Sequence, residues 1–194
     1  PEFELIQPVS LEQASRFLAE HPGESRPLLG GTDIFVRLRD GLYHDKYLVD
    51  VKKLEGLSQL RFEPSSNGHS GGGLTIGAAV NMNRVAACPE VLPYYPLLAE
   101  ACRSVASYQL RNRATIVGNI CNASPAGDTI GACLVLGGVL KVYGLNGWRD
   151  VPLVEGNQSV FFRGPGLNTL QPGDIVTAIF LPISPPGSQG TYLK

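Results

Sequence analysis

The spacing of apolar residues changes character along the chain, and that change is the first guide to its fold. Phe3 to Pro8 reads as a short strand. Ser10-Leu-Glu-Gln13 then pairs an N-cap side chain with a glutamine three positions on, and Leu11, Ala14, Phe17 and Leu18 recur at spacings of three and four, so a helix follows. His21-Pro22-Gly23 ends it, because proline cannot continue the hydrogen-bond ladder and glycine tolerates the exit geometry. Arg26 to Leu29 is a second brief strand, broken by Gly30-Gly31. Thr32-Asp33 can cap a helix carrying Ile34, Phe35 and Leu38, and Tyr47 to Val51 is a third strand. Strands alternating with helices predict a small parallel β-α-β-α-β lobe over residues 1–55.

Beyond Gly56 the pattern shifts to strands joined by hairpins, which predicts a second lobe over residues 56–190. Leu57 to Glu63 and Leu74 to Val80 read as strands around a polar, glycine-rich hairpin end, Ser65 to Gly73. Two helices are expected before Ala106, with Leu97, Leu98, Ala101, Cys102 and Val105 on one apolar face. Ala114 to Asp128 then loses all periodicity and reads as a ligand-holding loop. Gly118 and Gly127 are expected at positive φ, Pro125 stiffens the middle, and Thr115, Asn119, Asn122, Ser124 and Asp128 offer short donors and acceptors. Thr129 to Gly138 suits an apolar helix. Val139 to Leu145 and Trp148 to Leu153 flank Asn146-Gly147, a dipeptide suited to a type I′ turn, with Trp148 packing across the strands. Gly173-Asp174 introduces a last full strand, Ile175 to Leu181, and Gly190 to Lys194 looks like the first step of another.

Composition narrows the function classes. With 43% apolar and 17% charged residues and a formal net charge of −1, the 194-residue chain has a core but no basic stripe for nucleic acid or anionic lipid. Its apolar runs stop well short of the roughly 20 residues a membrane span needs. PEFELIQP carries neither a basic region nor an apolar signal core, so a cytoplasmic protein is expected. Cys88, Cys102, Cys121 and Cys133 form no CxxC pair, which argues for structural thiols and against a metal or iron–sulfur site. His21, His44 and His69 all fall in turn-like surroundings and are expected at the surface. No GxSxG elbow accompanies them, so nucleophilic catalysis is not indicated. The turn after Leu29 would leave backbone N–H groups at a helix start, where an anion is favoured, although GGTD lacks both the P-loop lysine and the third glycine of a dinucleotide fingerprint.

Four segments, LLGGTDIFVRLRDG, TIGAAVNMNRVA, QLRNRATIVGNICNASPAGD and LQPGDIVTAIFLP, occur in an order and spacing that resemble the FAD-binding domain of molybdenum hydroxylases. That domain is the flavoprotein part of xanthine dehydrogenases, aldehyde oxidoreductases, nicotinate dehydrogenases and carbon monoxide dehydrogenases. The resemblance covers nearly the whole chain and implies a two-lobed α+β flavin-binding fold of the p-cresol methylhydroxylase/vanillyl-alcohol oxidase type. It implies that FAD lies between the lobes. The backbone of Leu29, Gly30, Gly31, Thr32 and Asp33 would hold the pyrophosphate, with Ile34 nearby. Thr115, Gly118, Asn119, Asn122, Ser124 and Asp128 would hold the rest of the cofactor, Asp128 on the sugar side of the adenosine. Ile175, Val176 and Lys194 would lie near the ring system.

One departure is that the family loop commonly has two adjacent glycines where this chain has Val117-Gly118. Family subunits also continue for roughly another hundred residues, an ordinary domain size, so residues 191–194 would start a C-terminal domain. The implied role is an FAD subunit of a molybdenum-containing dehydrogenase complex. Molybdopterin and [2Fe-2S] clusters would sit on partner subunits, and NAD, oxygen, a quinone or a carrier protein would accept the electrons. No residue of this chain need be a catalytic acid, base or nucleophile, since the flavin carries the redox chemistry. The same residues would also serve a non-catalytic nucleotide-binding or assembly module, or a stand-alone flavin oxidoreductase.

Overall fold

The computed structural model describes residues 2–64 and 72–193. Most of the expected loop from Ser65 to Gly73, together with His69 and Lys194, lies outside the described residues. The first part of the chain runs β1 (Glu4–Ile6), α1 (Leu11–Glu20), β2 (Ser25–Leu28), α2 (Ile34–Arg39) and β3 (Tyr47–Asp50). The three strands form one parallel sheet in the order β1-β3-β2, with Glu4 opposite Tyr47 and Leu28 opposite Asp50. Alternation along the central strand decides its packing: Leu48 joins Leu28 and Leu38 in a small cluster beneath α2, whereas Val49 enters the main core with Ala14 and Leu18 of α1. Ser10 caps α1 by accepting from Gln13 N at 3.2 Å, and Gln13 Oε1 accepts from Val9 N at 2.8 Å.

The second part begins with β4 (Leu60–Glu63) and β5 (Gly73–Gly77), both shorter than their apolar runs. Leu57 is buried but sits in a turn, with its carbonyl accepting from Ala79 N. Three short helices rather than two precede Ala106, α3 (Met82–Ala86), α4 (Val91–Tyr94) and α5 (Pro96–Ser104), and α6 (Tyr108–Arg111) follows it. Then come α7 (Ile116–Asn122), α8 (Asp128–Val135) and the hairpin of β6 (Val139–Gly144) and β7 (Gly147–Pro152). Two small pairs, β8 (Val154–Glu155) with β9 (Gln158–Ser159) and β10 (Phe162–Gly164) with β11 (Leu167–Asn168), lead to β12 (Ile175–Pro182). A five-stranded antiparallel sheet has the order β4-β5-β12-β6-β7, so the last strand in sequence lies in the middle. It is buried along nearly its whole length, and Tyr95 Oη, itself fully buried, donates to Leu181 O at 2.9 Å. The whole is an α+β fold in which α1 faces both sheets.

Several local expectations need correction. The β6–β7 turn is not type I′: Asn146 keeps a negative φ and only Gly147 is left-handed, at φ 87°, with Gly144 paired to it. That is the pattern of an ordinary turn closed by a left-handed glycine. Trp148 does pack across the strands, edge-on to Tyr143 at 5.2 Å. His21 is not a free surface residue, since it stacks on Phe17 at 4.3 Å and meets Tyr47 edge-on. Residues 190–193 form no strand.

Candidate functional site

The stretch expected as one continuous loop contains a helix. Thr115 Oγ1 accepts from Gly118 N at 2.9 Å and starts α7, and Ala123 stops it by taking a left-handed φ of 48°. Neither Gly118 nor Gly127 has positive φ, contrary to expectation. Val117 needs no special backbone, being an ordinary buried residue of the helix. The left-handed turn at Ala123 is held from outside the segment, where its carbonyl accepts from Gly166 N at 2.9 Å. Asn119 Oδ1 accepts from both Thr129 N (3.2 Å) and Thr129 Oγ1 (2.7 Å), tying α7 to the start of α8. Its Nδ2 has no acceptor among the described residues. Ser124 Oγ accepts from Ala126 N, the Asn122 side chain has no hydrogen-bond partner among the described residues, and Asp128 Oδ1 accepts from Tyr192 Oη at 3.1 Å.

The Gly30-Gly31 turn comes directly against this second wall. A Cβ at Gly30 would lie 2.7 Å from the carbonyl carbon of Arg113 and closer still to its oxygen, so only glycine lets the two backbones touch. Arg113 Nε donates to Gly30 O at 3.1 Å across the same contact. Gly31 takes φ 73°, and a Cβ there would strike the ring of Phe35. Asp33 occupies the N-cap position of α2 but makes no side-chain cap, in contrast to the capping role expected of Thr32-Asp33. Among the described residues the amides of Gly30, Gly31, Thr32 and Asp33 donate to no protein acceptor. Arg111 works as a brace, with Nε donating to Asn83 Oδ1 and Nη1 to the carbonyls of Val105 and Ala106.

Between the walls lies a cleft of about 770 Å³. Leu29, Gly30, Gly31, Thr32, Asp33 and Ile34 line one side. Thr115, Gly118, Asn119, Asn122, Ser124 and Asp128 line the other, with Ile175 and Val176 from the start of β12. Lys194 cannot be placed, being outside the described residues. Sequence reasoning missed two further parts. Arg26 of β2 and Tyr43 and Asp45 of the loop before β3 line the cleft, where Arg26 Nε meets the buried Asp45 carboxylate at 3.0 Å and the guanidinium lies 3.9 Å over the Tyr43 ring. An arginine at the head of the run Arg26 to Leu29, just before the glycine turn, was the available signal.

The second missed part is the segment from Gly166 to Asp174, most of which lines the cleft. It is anchored by Ser15 Oγ donating to Gly173 O at 2.7 Å and by the Arg149–Asp174 ion pair. Asp174 also accepts from Gln171 N, and its hydrogen bonds raise the Arg149 guanidinium above its ordinary value. Burial pushes the Cys102 and Cys121 thiols up to about 12, and Cys133 upward as well. Among the described residues no group of three or more His, Cys, Asp or Glu could hold a metal, and no helix is long and apolar enough to cross a membrane.

Residues 1–184 match the family described as the FAD binding domain in molybdopterin dehydrogenase. The chain belongs to this family. This FAD-binding domain is 30% identical over 183 residues to the glyceraldehyde dehydrogenase medium chain of Sulfolobus acidocaldarius, covering 94% of the present chain and 60% of the relative. It is 28% identical to the carbon monoxide dehydrogenase medium chain of Hydrogenophaga pseudoflava, covering 100% and 63%. Among solved structures, carbon monoxide dehydrogenase from Hydrogenophaga pseudoflava superposes with a TM-score of 0.86 at 28% identity, over 96% of this chain and 61% of that one. Quinoline 2-oxidoreductase from Pseudomonas putida 86 gives 0.83 at 25% identity, over 95% and 60%. The domain therefore spans about three fifths of the length of the relatives it matches, and its fold is the two-lobed α+β FAD-binding fold.

Proposed function

We propose that this domain is the FAD-holding part of the flavoprotein subunit of a molybdenum-containing dehydrogenase, and that it relays electrons from iron–sulfur clusters on one partner subunit to an external acceptor. A second partner would carry the molybdopterin. The observation that carries the reading is that one cleft gathers the Gly30-Gly31 turn, the polar residues around α7 and the start of β12, which lie far apart in sequence. Its volume falls in the range of roughly 300–1,000 Å³ usual for ligand clefts.

The residues present fit a dinucleotide. Four successive amides that have no protein acceptor among the described residues, in the turn from Gly30 to Asp33, can donate to a pyrophosphate without a lysine. The Asn119 amide nitrogen, Asn122, Ser124 and the Thr115 hydroxyl can fix sugar and polyol oxygens. Ile175 and Val176 supply an apolar surface for a ring and keep water from it. FAD, when bound, supplies the redox chemistry. On this reading the lobes are residues 1–55 and 56–190, with FAD between them. Cytoplasmic residence and an acceptor such as NAD, oxygen, a quinone or a carrier protein belong to the same proposal.

Purified protein should show the two-band visible spectrum of oxidised flavin, or gain it on adding FAD. Affinity capture from its native host should bring down subunits containing molybdenum and iron. A colourless protein that takes up no FAD would sink the proposal. Flavin uptake with turnover on a soluble donor and no co-purifying metal subunits would instead favour a stand-alone flavin oxidoreductase.

A further inference from the structure

We infer that Arg149, which does not itself line the cleft, is a positioning residue for it: by gripping Asp174 it holds the wall from Gly166 to Asp174 in the shape that receives the ligand. What concerns the ligand rests on the FAD reading above, and what concerns the wall does not.

Arg149 sits on the side of its strand where a charge is least expected. It stands opposite Val142, and directly opposite residues of an antiparallel pair share a face, so it lies on the face that carries the buried Leu140 and Val142. Its side chain crosses β6 at Gly144, where a Cβ would lie 2.5 Å from Asp174 Oδ1 and 3.2 Å from Arg149 Nη1. Beyond that glycine Nη1 donates to Oδ1 at 2.8 Å and Nη2 to Oδ2 of a carboxylate that is only 5% exposed. Apolar side chains of similar volume would hold the sheet as well or better, because the attraction of a desolvated ion pair does little more than offset the cost of taking its charges out of water. Stability alone does not account for the pair.

What the pair adds is a fixed direction. Two parallel N–H···O bonds set the angle of the carboxylate as well as its distance. The same carboxylate accepts from Gln171 N at 2.6 Å, while Asp174 N donates to Gln171 O at 3.0 Å, so the turn from Gln171 to Asp174 is closed on a group that Arg149 holds still. Leu170, Gln171 and Pro172 line the cleft at this turn, and Ile175 and Val176 follow it directly. The upstream end of the wall is tied elsewhere, by Gly166 N donating to Ala123 O and Asn168 Nδ2 to Cys121 O, both at 2.9 Å. Arg149, together with Ser15 on Gly173 O, therefore sets the end that adjoins β12.

The test compares the parent protein with Arg149→Lys, which keeps the charge without the fork, and with Arg149→Met/Asp174→Asn, which removes the ion pair but leaves an oxygen for Gln171 N. Amide hydrogen exchange of residues 166–175 in flavin-free protein reads the wall, and equilibrium titration with FAD reads its consequence. Both variants should exchange the wall at least about tenfold faster, with α8 unchanged and the midpoint of thermal unfolding within about 3 °C of the parent. FAD affinity should fall about tenfold in the double variant and about threefold or more in Arg149→Lys. A merely structural pair would move exchange and unfolding together and leave FAD affinity intact. Unchanged wall exchange overturns the inference whether or not FAD binds, and so does FAD affinity within about twofold of the parent once the wall exchanges faster. If the double variant does not fold, Arg149→Lys decides on both readouts. A parent that takes up no FAD, with a wall that loosens in the variants, removes the FAD reading and leaves the hold of Arg149 on the wall standing.

Discussion

Replacing Asn119 by alanine should destabilise the flavin-free protein, because this side chain is part of the scaffold before it is part of a binding site. Its Oδ1 accepts two hydrogen bonds from Thr129, one from the amide and one from the hydroxyl, and Thr129 is fully buried. Alanine leaves both donors without partners. A buried polar group left unsatisfied costs about 1–3 kcal/mol. Rotation of the hydroxyl recovers part of the loss, and alanine returns about 0.5 kcal/mol of helix propensity. A net cost of about 2–3 kcal/mol corresponds, at about 2–4 °C per kcal/mol for a chain of this size, to a fall in Tm of roughly 5–10 °C. Asn119→Asp keeps both acceptor contacts and removes only the Nδ2 donor. It should unfold within about 2 °C of the parent yet bind FAD more weakly, since a carboxylate replaces an amide beside an anionic ligand. Thermal unfolding of flavin-free protein and FAD titration by fluorescence quenching separate the two roles. If flavin-free Asn119→Ala unfolds within about 1 °C of the parent, the Thr129 tie contributes nothing and the reasoning fails.

Gly30→Ala places a methyl against the backbone of Arg113, which has no flexible end to yield, so a loss of about 1–3 kcal/mol is expected together with weaker FAD binding; denaturant unfolding checks the first and flavin titration the second. Thr115→Ala should cost about 1 kcal/mol by removing the α7 cap, with Thr115→Ser retaining most of it, as measured by urea unfolding. Stability should fall with alkaline pH. Cys102 and Cys121 rise from an ordinary 9.0 to about 12 on folding, so between those values the folded chain holds protons that the unfolded chain releases. The stabilisation is whole below about pH 9 and declines towards about pH 12, at about 1.4 kcal/mol per pH unit for each thiol. Denaturant titrations from about pH 8 to about pH 11 would contradict this if the midpoint did not move.

The elements with strong local signals were legible in the sequence. Ser10 and Gln13 marked the start of α1, the alternating strands and helices gave the parallel sheet, and the glycine-rich stretches singled out two walls of one cleft. Helix α7 was not legible, because Gly118, Asn119 and Asn122 interrupt its apolar pattern and its end depends on Ala123 in a left-handed conformation. That conformation is held by Gly166, more than forty residues away, and no local rule reports such a contact. The type of the β6–β7 turn was misread because Asn146-Gly147 fits two registers, and pairing of Gly144 with Gly147 selects the one with Leu145 and Asn146 at the tip. Arg26 and the segment from Gly166 to Asp174 were not assigned to the site, since their relation to the cleft is set by tertiary packing alone.

The central position of β12 bears on how the chain is made. During synthesis β5 and β6 emerge long before Ile175 to Pro182, and until that strand arrives each has an open side rich in unpaired backbone groups. Ile175 and Val176 both open this strand and line the cleft, so the cleft closes only when the sheet does. Nascent chains stopped before Ile175 should therefore bind neither half of the ligand well, and their exposed strand edges would make them candidates for chaperone capture or aggregation.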